Sequence, residues 1–371
     1  MKVIQILPEL ESGGVERGTL ELAQFLVRQG HDSIVISNGG GMVHELEANG
    51  SRHVTLPVHR KSPLTLRVFP ALRRVLLEER PDILHLRSRV PAWLSCLCWR
   101  SLPTVKRPRL VSTVHGFYSV NAYSRIMTRG ERVICVSDAI RAYVVNNYPR
   151  VPLDKLVVIP RGIDPDLYHP RYRAEDAWRD RWFSEFPQTQ GKRWIVLPGR
   201  LSQLKGQLEF IELFARLRES VPNLHGLIVG GTHPRKKDYE EGLRRRVVER
   251  NLSEDITFTG QRSDLREILS CSALVLSLSR QPESFGRTVL EPLALGKPVI
   301  GYSDGGVGEI LRVMLSEGIV SRENPEELFA RCLIFLENPP MPVASHPFAL
   351  ESMLTETHKL YQTILREPSA A

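Results

Sequence analysis

Short apolar runs alternate with segments of helical period along almost the whole chain, and this alternation limits the fold more than any other feature. The first block reads "KVIQIL" (2–7), "DSIVIS" (32–37), "HVTLP" (53–57), "DILHLR" (82–87), "RLVSTVH" (109–115), "RVICVS" (132–137) and "LVVIP" (156–160). A helix is predicted at 15–29, stopped by Gly30, and another at 64–80. A charged, Trp-rich and Pro-punctuated stretch at 165–192 interrupts the pattern. It then restarts with "WIVLPG" (194–199), "HGLIVGG" (225–231), "ITFTG" (256–260), "ALVLSLS" (273–279) and "PVIGY" (298–302). Helices are predicted at 206–219, 237–250, 263–270 and 286–295, and a last one at 346–366 has no strand after it. Strand–helix alternation makes parallel sheets covered on both faces. The expected class is α/β, with two doubly wound Rossmann-like domains. Ligands of such sheets bind beyond the carboxyl ends of the strands, so two facing domains would leave a cleft for the chemistry.

The length of 371 residues suits two domains of ~150 to 200 residues better than one core. The expected boundaries are 1–163, 164–345 and a terminal helix, 346–371. Hydrophobic content of 42% and charged content of 25% belong to a soluble globular protein. No apolar stretch approaches the ~20 residues of a membrane span. "MKVIQILPEL" meets a proline and acids at once, unlike a signal peptide. Cys96, Cys98, Cys135, Cys271 and Cys332 lie in apolar segments without a CxxC pair, which fits buried, reduced thiols in the cytoplasm.

The net charge of +8 is uneven: residues 1–150 hold 21 Lys and Arg against 12 Asp and Glu, the rest 29 against 30. A basic half attracts nucleic acid, a phosphorylated glycolipid or an anionic membrane surface, although a merely solvated basic face fits as well. Nucleic acid would call for aromatic platforms or a recognition helix among the basic residues, and the sequence offers neither. Arg60, Lys61, Arg67, Arg73 and Arg74 lie on or beside the helix expected at 64–80, a candidate contact with anionic lipid.

"PESFGRTVLEPLALGKPVIGYSDGGVGEI" (282–310) is the richest stretch. Gly286 allows a tight turn into a helix. The amides around Phe285, Gly286 and Arg287, after Ser284, would then form an anion site at the helix N-terminus. Glu291 lies one turn on from Arg287 and could take ribose hydroxyls, while Glu283 precedes the turn and could meet a second sugar. Equally, Glu291 reads as a solvated helix residue and Glu283 as a partner of the helix dipole. In "LPGRLSQLKGQ" (197–207), Arg200 and Lys205 are two cations at a strand's carboxyl end, suited to a diphosphate. In "ELESGGVERG" (9–18), Gly13 and Gly14 permit close backbone approach but do not make the G-x-G-x-x-G signature of a dinucleotide-binding oxidoreductase. His115 ends a strand in "STVHGF", and Arg87, Ser88 and Arg89 follow another and could receive an anionic acceptor. Asp164 and Asp166 read as a hinge and cap rather than a metal site, and no His/Cys cluster has zinc spacing.

Together these motifs resemble those of the retaining glycosyltransferases of family 4, which have the GT-B fold. The resemblance covers nearly the whole chain. Its most specific element is Glu283 and Glu291 with Phe285 and Gly286 between them. "GRLSQLKGQ", "ERVICVSDAI", "PRGID", "SGGVERG" and "GGVGEI" stand where the family has counterparts. The resemblance implies an acceptor-binding first domain, a donor-binding second domain and a last helix that crosses back to the first. It implies that Arg200 and Lys205 bind the nucleotide diphosphate and Glu291 the ribose. Glu283 and the backbone after it (Ser284 to Arg287) would touch the donor sugar. Gly13 and Gly14 would lie near the phosphates, and His115 near the reacting centre, where Arg200, Lys205 and Glu283 also act. It implies transfer from a nucleotide sugar, commonly UDP-linked, without a metal or other cofactor. The acceptor segments look like those of bacterial enzymes that build lipopolysaccharide core and related surface glycans, which implies a cytoplasmic protein peripheral to the inner membrane face. The family often has Asn where Arg161 stands and Pro where Gly308 stands. A non-catalytic nucleotide-sugar-binding protein remains the alternative, ahead of a Rossmann-type oxidoreductase.

Overall fold

A computed structural model describes residues 1–11, 13–232 and 237–368. Its contacts divide the chain into two compact units, Met1–Gly162 with the segment from Leu350, and Ile163–Ala349.

The first unit runs β1 (Lys2–Ile6), α1 (Gly14–Arg28), β2 (Asp32–Ser37), α2 (Val43–Ala48), β3 (Arg52–Thr55), α3 (Phe69–Glu79), β4 (Ile83–Leu86) and α4 (Arg89–Ser101). It continues with β5 (Arg109–Val114), β6 (Arg132–Cys135), α5 (Asp138–Asn147) and β7 (Leu156–Val158). The sheet is parallel throughout, in the order β3-β2-β1-β4-β5-β6-β7. The inner strands are largely apolar because helices cover both faces, whereas the edge strand β3 is polar and partly exposed.

The second unit runs α6 (Asp176–Glu185), β8 (Arg193–Pro198), α7 (Gln207–Ser220), β9 (Leu224–Val229), α8 (Lys237–Glu249), β10 (Ile256–Gly260) and α9 (Leu265–Cys271). Then come β11 (Leu274–Ser277), α10 (Arg287–Ala294), β12 (Val299–Tyr302), α11 (Gly305–Met314), β13 (Ile319–Val320) and α12 (Pro325–Glu337). Its sheet is also parallel, in the order β10-β9-β8-β11-β12-β13. Strand order therefore reverses between β1 and β4 in one unit and between β8 and β11 in the other. These are the switch points beside which open α/β sheets take their ligands.

The last helix, α13 (Leu350–Arg366), belongs to the first unit. Met353, Leu354, Tyr361 and Ile364 enter a core with Leu22, Phe25, Leu26, Ile83, Val111 and Ile134. The Tyr361 hydroxyl lies 2.6 Å from His85 Nδ1, and His85 Nε2 lies 2.7 Å from Thr113 Oγ1. One fully buried histidine thereby ties α13 to β4 and β5.

Three expectations need correction. The helix expected at 64–80 is a 3-10 turn (Pro63–Val68) followed by α3. Pro70 lacks the N–H that an α-helix running through it would use, so the α-helix starts afresh at Phe69. The stretch at 165–192, read as an interruption of the pattern, holds a helix of its own: Trp178 and Trp182, one turn apart on α6, are buried and stack at 5.4 Å, and Trp182 lies 5.2 Å from Trp194. Cys271 is only partly buried, whereas Cys96, Cys98, Cys135 and Cys332 are fully inside; all five are free.

Candidate functional site

In the second unit the loop after β8 and the turn after β11 come together. Gly206, the residue before α7, has φ +75°, and a Cβ there would lie 2.1 Å from the Leu278 carbonyl oxygen. Only glycine lets the β8 loop sit this close to the end of β11. The loop carries Arg200, which is exposed, and Lys205, whose Nζ donates to Glu283 Oε1 at 2.7 Å. The Ser279 hydroxyl donates to the same carboxylate oxygen. Glu283 is thus held from two sides before any ligand arrives.

The turn continues through Ser284 and the buried Phe285, which meets Phe348 edge-on at 5.8 Å. Gly286 follows with φ +106° and starts α10. The first amides of a helix have no partner within it, so those of α10 form an anion-attracting terminus. Arg287 Nε donates to Glu291 Oε1 at 2.9 Å, and Glu291 is only 7% exposed. Sequence spacing had put these two on one face; the structure makes them an ion pair. The Tyr168 hydroxyl is pushed up to about 12, first by burial and then by the Glu291 charge. Gly306 donates its amide to the Glu283 carbonyl at 2.8 Å, so "GGVGEI" is the cradle of the 283–286 turn. A Cβ at Gly308, in α11, would lie 1.9 Å from the Ser303 carbonyl oxygen, so that position takes no proline as it stands.

The pairing of Lys205 with Glu283, and the roles of Ser279 and Tyr168, have no local sequence signal. Asp164 forms a turn, accepting from the Asp166 amide at 2.9 Å. Among the described residues no group of three or more His, Cys, Asp or Glu is placed to hold a metal ion.

In the first unit the strand ends carry a different chemistry. Arg87 follows β4 and is 3% exposed, and its Nε and Nη2 are buried without a hydrogen-bond partner. Burial lowers its pKa to about 10. His115 follows β5. Its Nδ1 lies 2.7 Å from Arg161 Nη2, a donor at every pH of interest, so Nδ1 accepts and the proton sits on Nε2. Burial, then the charges of Arg161 and Arg87, hold His115 well below the usual histidine range. Nε2 is buried and has no partner. Arg89 is turned elsewhere, over the rings of Tyr118 and Tyr123 at 4.5 and 5.6 Å, with Nη1 on Ser124 Oγ at 3.2 Å. Ser88 is the residue before α4.

Gly13 is extended and Gly14 opens α1, so neither needs glycine for its backbone. The close approach is made by Gly18, inside α1: a Cβ there would lie 2.5 Å from Arg161 Nη1 and 3.4 Å from Arg87 Nη2. A lone glycine within a helical pattern was the available signal.

Elsewhere on this unit, Leu66, Trp93, Leu97 and Tyr123 line an apolar groove of about 550 Å³ beside Arg60 and Lys61. Among the described residues no helix is long and apolar enough to cross a membrane.

Residues 12–167 match the family model described as Glycosyltransferase Family 4, and residues 179–347 that described as Glycosyl transferases group 1. A GDP-mannose-dependent alpha-(1-6)-phosphatidylinositol dimannoside mannosyltransferase of Mycobacterium tuberculosis is 26% identical over 355 residues, 88% of this chain and 86% of its own. A glycosyltransferase of Rickettsia africae with a crystal structure is 27% identical, with a TM-score of 0.83 over 99% of both chains. The Anabaena protein HepE, solved with UDP and glucose, is 18% identical with a TM-score of 0.80, covering 98% of this chain and 100% of its own, a likeness of fold alone.

Proposed function

This chain belongs to the GT-B glycosyltransferases, and we propose that it moves a sugar from a nucleoside diphosphate to a glycan or glycolipid acceptor, with retention of configuration and without a metal. One observation carries the reading. Lys205 and Glu283 are paired at the carboxyl ends of β8 and β11, with the start of α10 and the Arg287–Glu291 pair beside them. Diphosphate, ribose and sugar each find a matching group there. Arg200, Lys205 and the α10 amides take the diphosphate, and Glu291 accepts from the ribose hydroxyls. Glu283 and the backbone of Ser284 to Arg287 meet the donor sugar. Gly13 and Gly14 would lie near the phosphates, and a Cβ at Gly14 would meet nothing within 4 Å.

The bond from the anomeric carbon to the diphosphate oxygen breaks, and the acceptor oxygen bonds to that carbon on the same face. The acceptor proton passes to the departing phosphate. Arg200 and Lys205 stabilise the charge that builds on the leaving group, the role that usually contributes most in such sites. His115, kept neutral, would contact the donor sugar near the reacting carbon. UDP-sugars are the first donors to test and GDP-mannose the next: HepE, alike in fold, was solved with UDP, and the mycobacterial relative is GDP-mannose-dependent.

The first unit supplies the acceptor side. Its positive charge suits lipopolysaccharide core, with its phosphates and acidic sugars. The groove of Leu66, Trp93 and Leu97 beside Arg60 and Lys61 supports docking on an anionic membrane at the cytoplasmic face. Nucleotide sugars are screened for thermal stabilisation of the chain, and the best is offered with truncated core oligosaccharides. Stabilisation by none of them, or hydrolysis without transfer to any acceptor, rejects the reading. Co-sedimentation with anionic but not neutral vesicles checks the membrane part.

A further inference from the structure

The first unit holds a small cavity at the reversal between β1 and β4. Gly18, His85, Arg87, Thr113, Arg161 and Thr357 line it, closed from below by core side chains, and it has room for about one oxygen atom, 20 Å³. Its polar lining holds no carboxylate: it consists of the two guanidiniums, His85 and the hydroxyls of Thr113 and Thr357. Arg87 Nε and Nη2 have no acceptor, and neither has Nε2 of His115, whose ring is bonded through Nδ1 to Arg161 of the lining. Arg87 and Arg161 both reach the one point that Gly18 leaves open. The Glu16 and Glu21 charges act on Arg87, and neither bonds to its Nε or Nη2.

A buried guanidinium without a carboxylate costs stability, because it leaves water and gains no partner. Such a group persists where something else uses it. His85, by contrast, spends both ring nitrogens on Tyr361 and Thr113. The cluster is therefore not a uniformly unsatisfied core. The unsatisfied donors belong to Arg87 and His115, at the carboxyl ends of β4 and β5, where substrates of this fold arrive. Arg161 and His115 are half-buried, which leaves the strand-end side as the way in.

We infer that Arg87, with Arg161 and His115, takes an oxyanion of the sugar substrate: a carboxylate or phosphomonoester that reaches one oxygen into this cavity. The inference rests on the glycosyltransferase reading and narrows it, since a neutral sugar would leave the donors of Arg87 unanswered. A planar fork of N–H groups suits a carboxylate or phosphate bidentately, so Arg is not exchangeable with Lys here.

The test uses the full chain and its melting temperature. The probes are D-glucuronate, glucose 6-phosphate, D-glucose and inorganic phosphate, each titrated against wild type, Arg87→Met and Arg87→Lys. Wild type should be stabilised by one of the two anionic sugars and not by glucose, and the responding arm tells carboxylate from phosphate. Without ligand, Arg87→Met should melt higher than wild type, because it removes a lone buried charge, and it should lose the response. Arg87→Lys keeps the charge without the fork and should bind about ten- to a hundredfold more weakly.

Four results overturn the inference: equal effects of glucose and the anionic sugars, no response to either anionic sugar, an unchanged response in Arg87→Met, or a lower melting point of that variant without ligand. A response to inorganic phosphate as large as to the sugars means an adventitious ion only and overturns it too. UDP is titrated on wild type in parallel. Failure there bears on the donor reading and leaves the oxyanion result standing.

Discussion

The two units share a topology and treat charge in opposite ways. At the strand ends of the second unit two cations are each held by an acid: Lys205 by Glu283, and Arg287 by Glu291. At those of the first unit Arg87 keeps Nε and Nη2 unbonded in a cavity lined by no carboxylate, and His115 is kept neutral beside Arg161. The second unit holds its side chains in place with bonds that a ligand must exchange. The first leaves bonds unmade for a ligand to complete. One fold thus supports a pre-neutralised site and an electrostatically incomplete one.

The sharpest way to break this contrast is at Lys205. Lys205→Ala should lower turnover by about ten- to a thousandfold, as for other lost charge stabilisers. Initial rates with saturating donor measure this, and wild-type rates would remove Lys205 from the site. Gly206→Ala comes next. It sets a methyl against the Leu278 carbonyl at a positive φ, so the second unit should lose about 2–4 kcal/mol in urea unfolding. A loss below ~0.5 kcal/mol would mean that the loop is not pinned there. Glu291→Gln should weaken UDP binding about tenfold, because an amide accepts less strongly than a carboxylate. Titration calorimetry reads it directly, and unchanged affinity ends the ribose role.

Acid touches both units. Burial holds His85 and His115 well below the usual histidine range and lowers His225 to about 4. A depressed folded pKa contributes stability that is full above the unfolded value and is lost as pH falls. Stability should therefore decline from pH ~6.5 toward 4, by at most ~1.4 kcal/mol per pH unit for each such group. Melting curves that stay flat from pH 6.5 to ~4.5 would contradict these burials. The smallest expected effect is that of a chelator, which should leave the rate unchanged; dependence on an added divalent ion would overturn the metal-free proposal.

The strands were legible because a sheet covered on both faces needs unbroken apolar runs. Short β13 was not, since Ile319–Val320 gives too little pattern. Helix α6 was missed because Trp178 and Trp182 bury one narrow stripe of an otherwise charged segment. In the site, Gly286, Arg287 and Glu291 lie within a few residues and helical spacing relates them. The partnership of Lys205 and Glu283 spans 78 residues and exists only once the sheet is folded. Arg87 was read as pointing toward an acceptor, but nothing in "LRSRV" signals that it would be buried without an acid. Its neighbour Arg89 has the same local pattern and ends on aromatic rings.

The position of α13 has a consequence for synthesis. The ribosome delivers Met353, Leu354, Tyr361 and Ile364 only after the whole second unit, yet they complete the core of the unit begun before it. That nascent unit must wait, with the apolar faces of Leu22, Phe25 and Ile83 uncovered, while the residues up to Ala349 are made. Premature termination after Ala349 would therefore harm the amino-terminal half, far from the lesion in sequence, and expose it to chaperones and proteases.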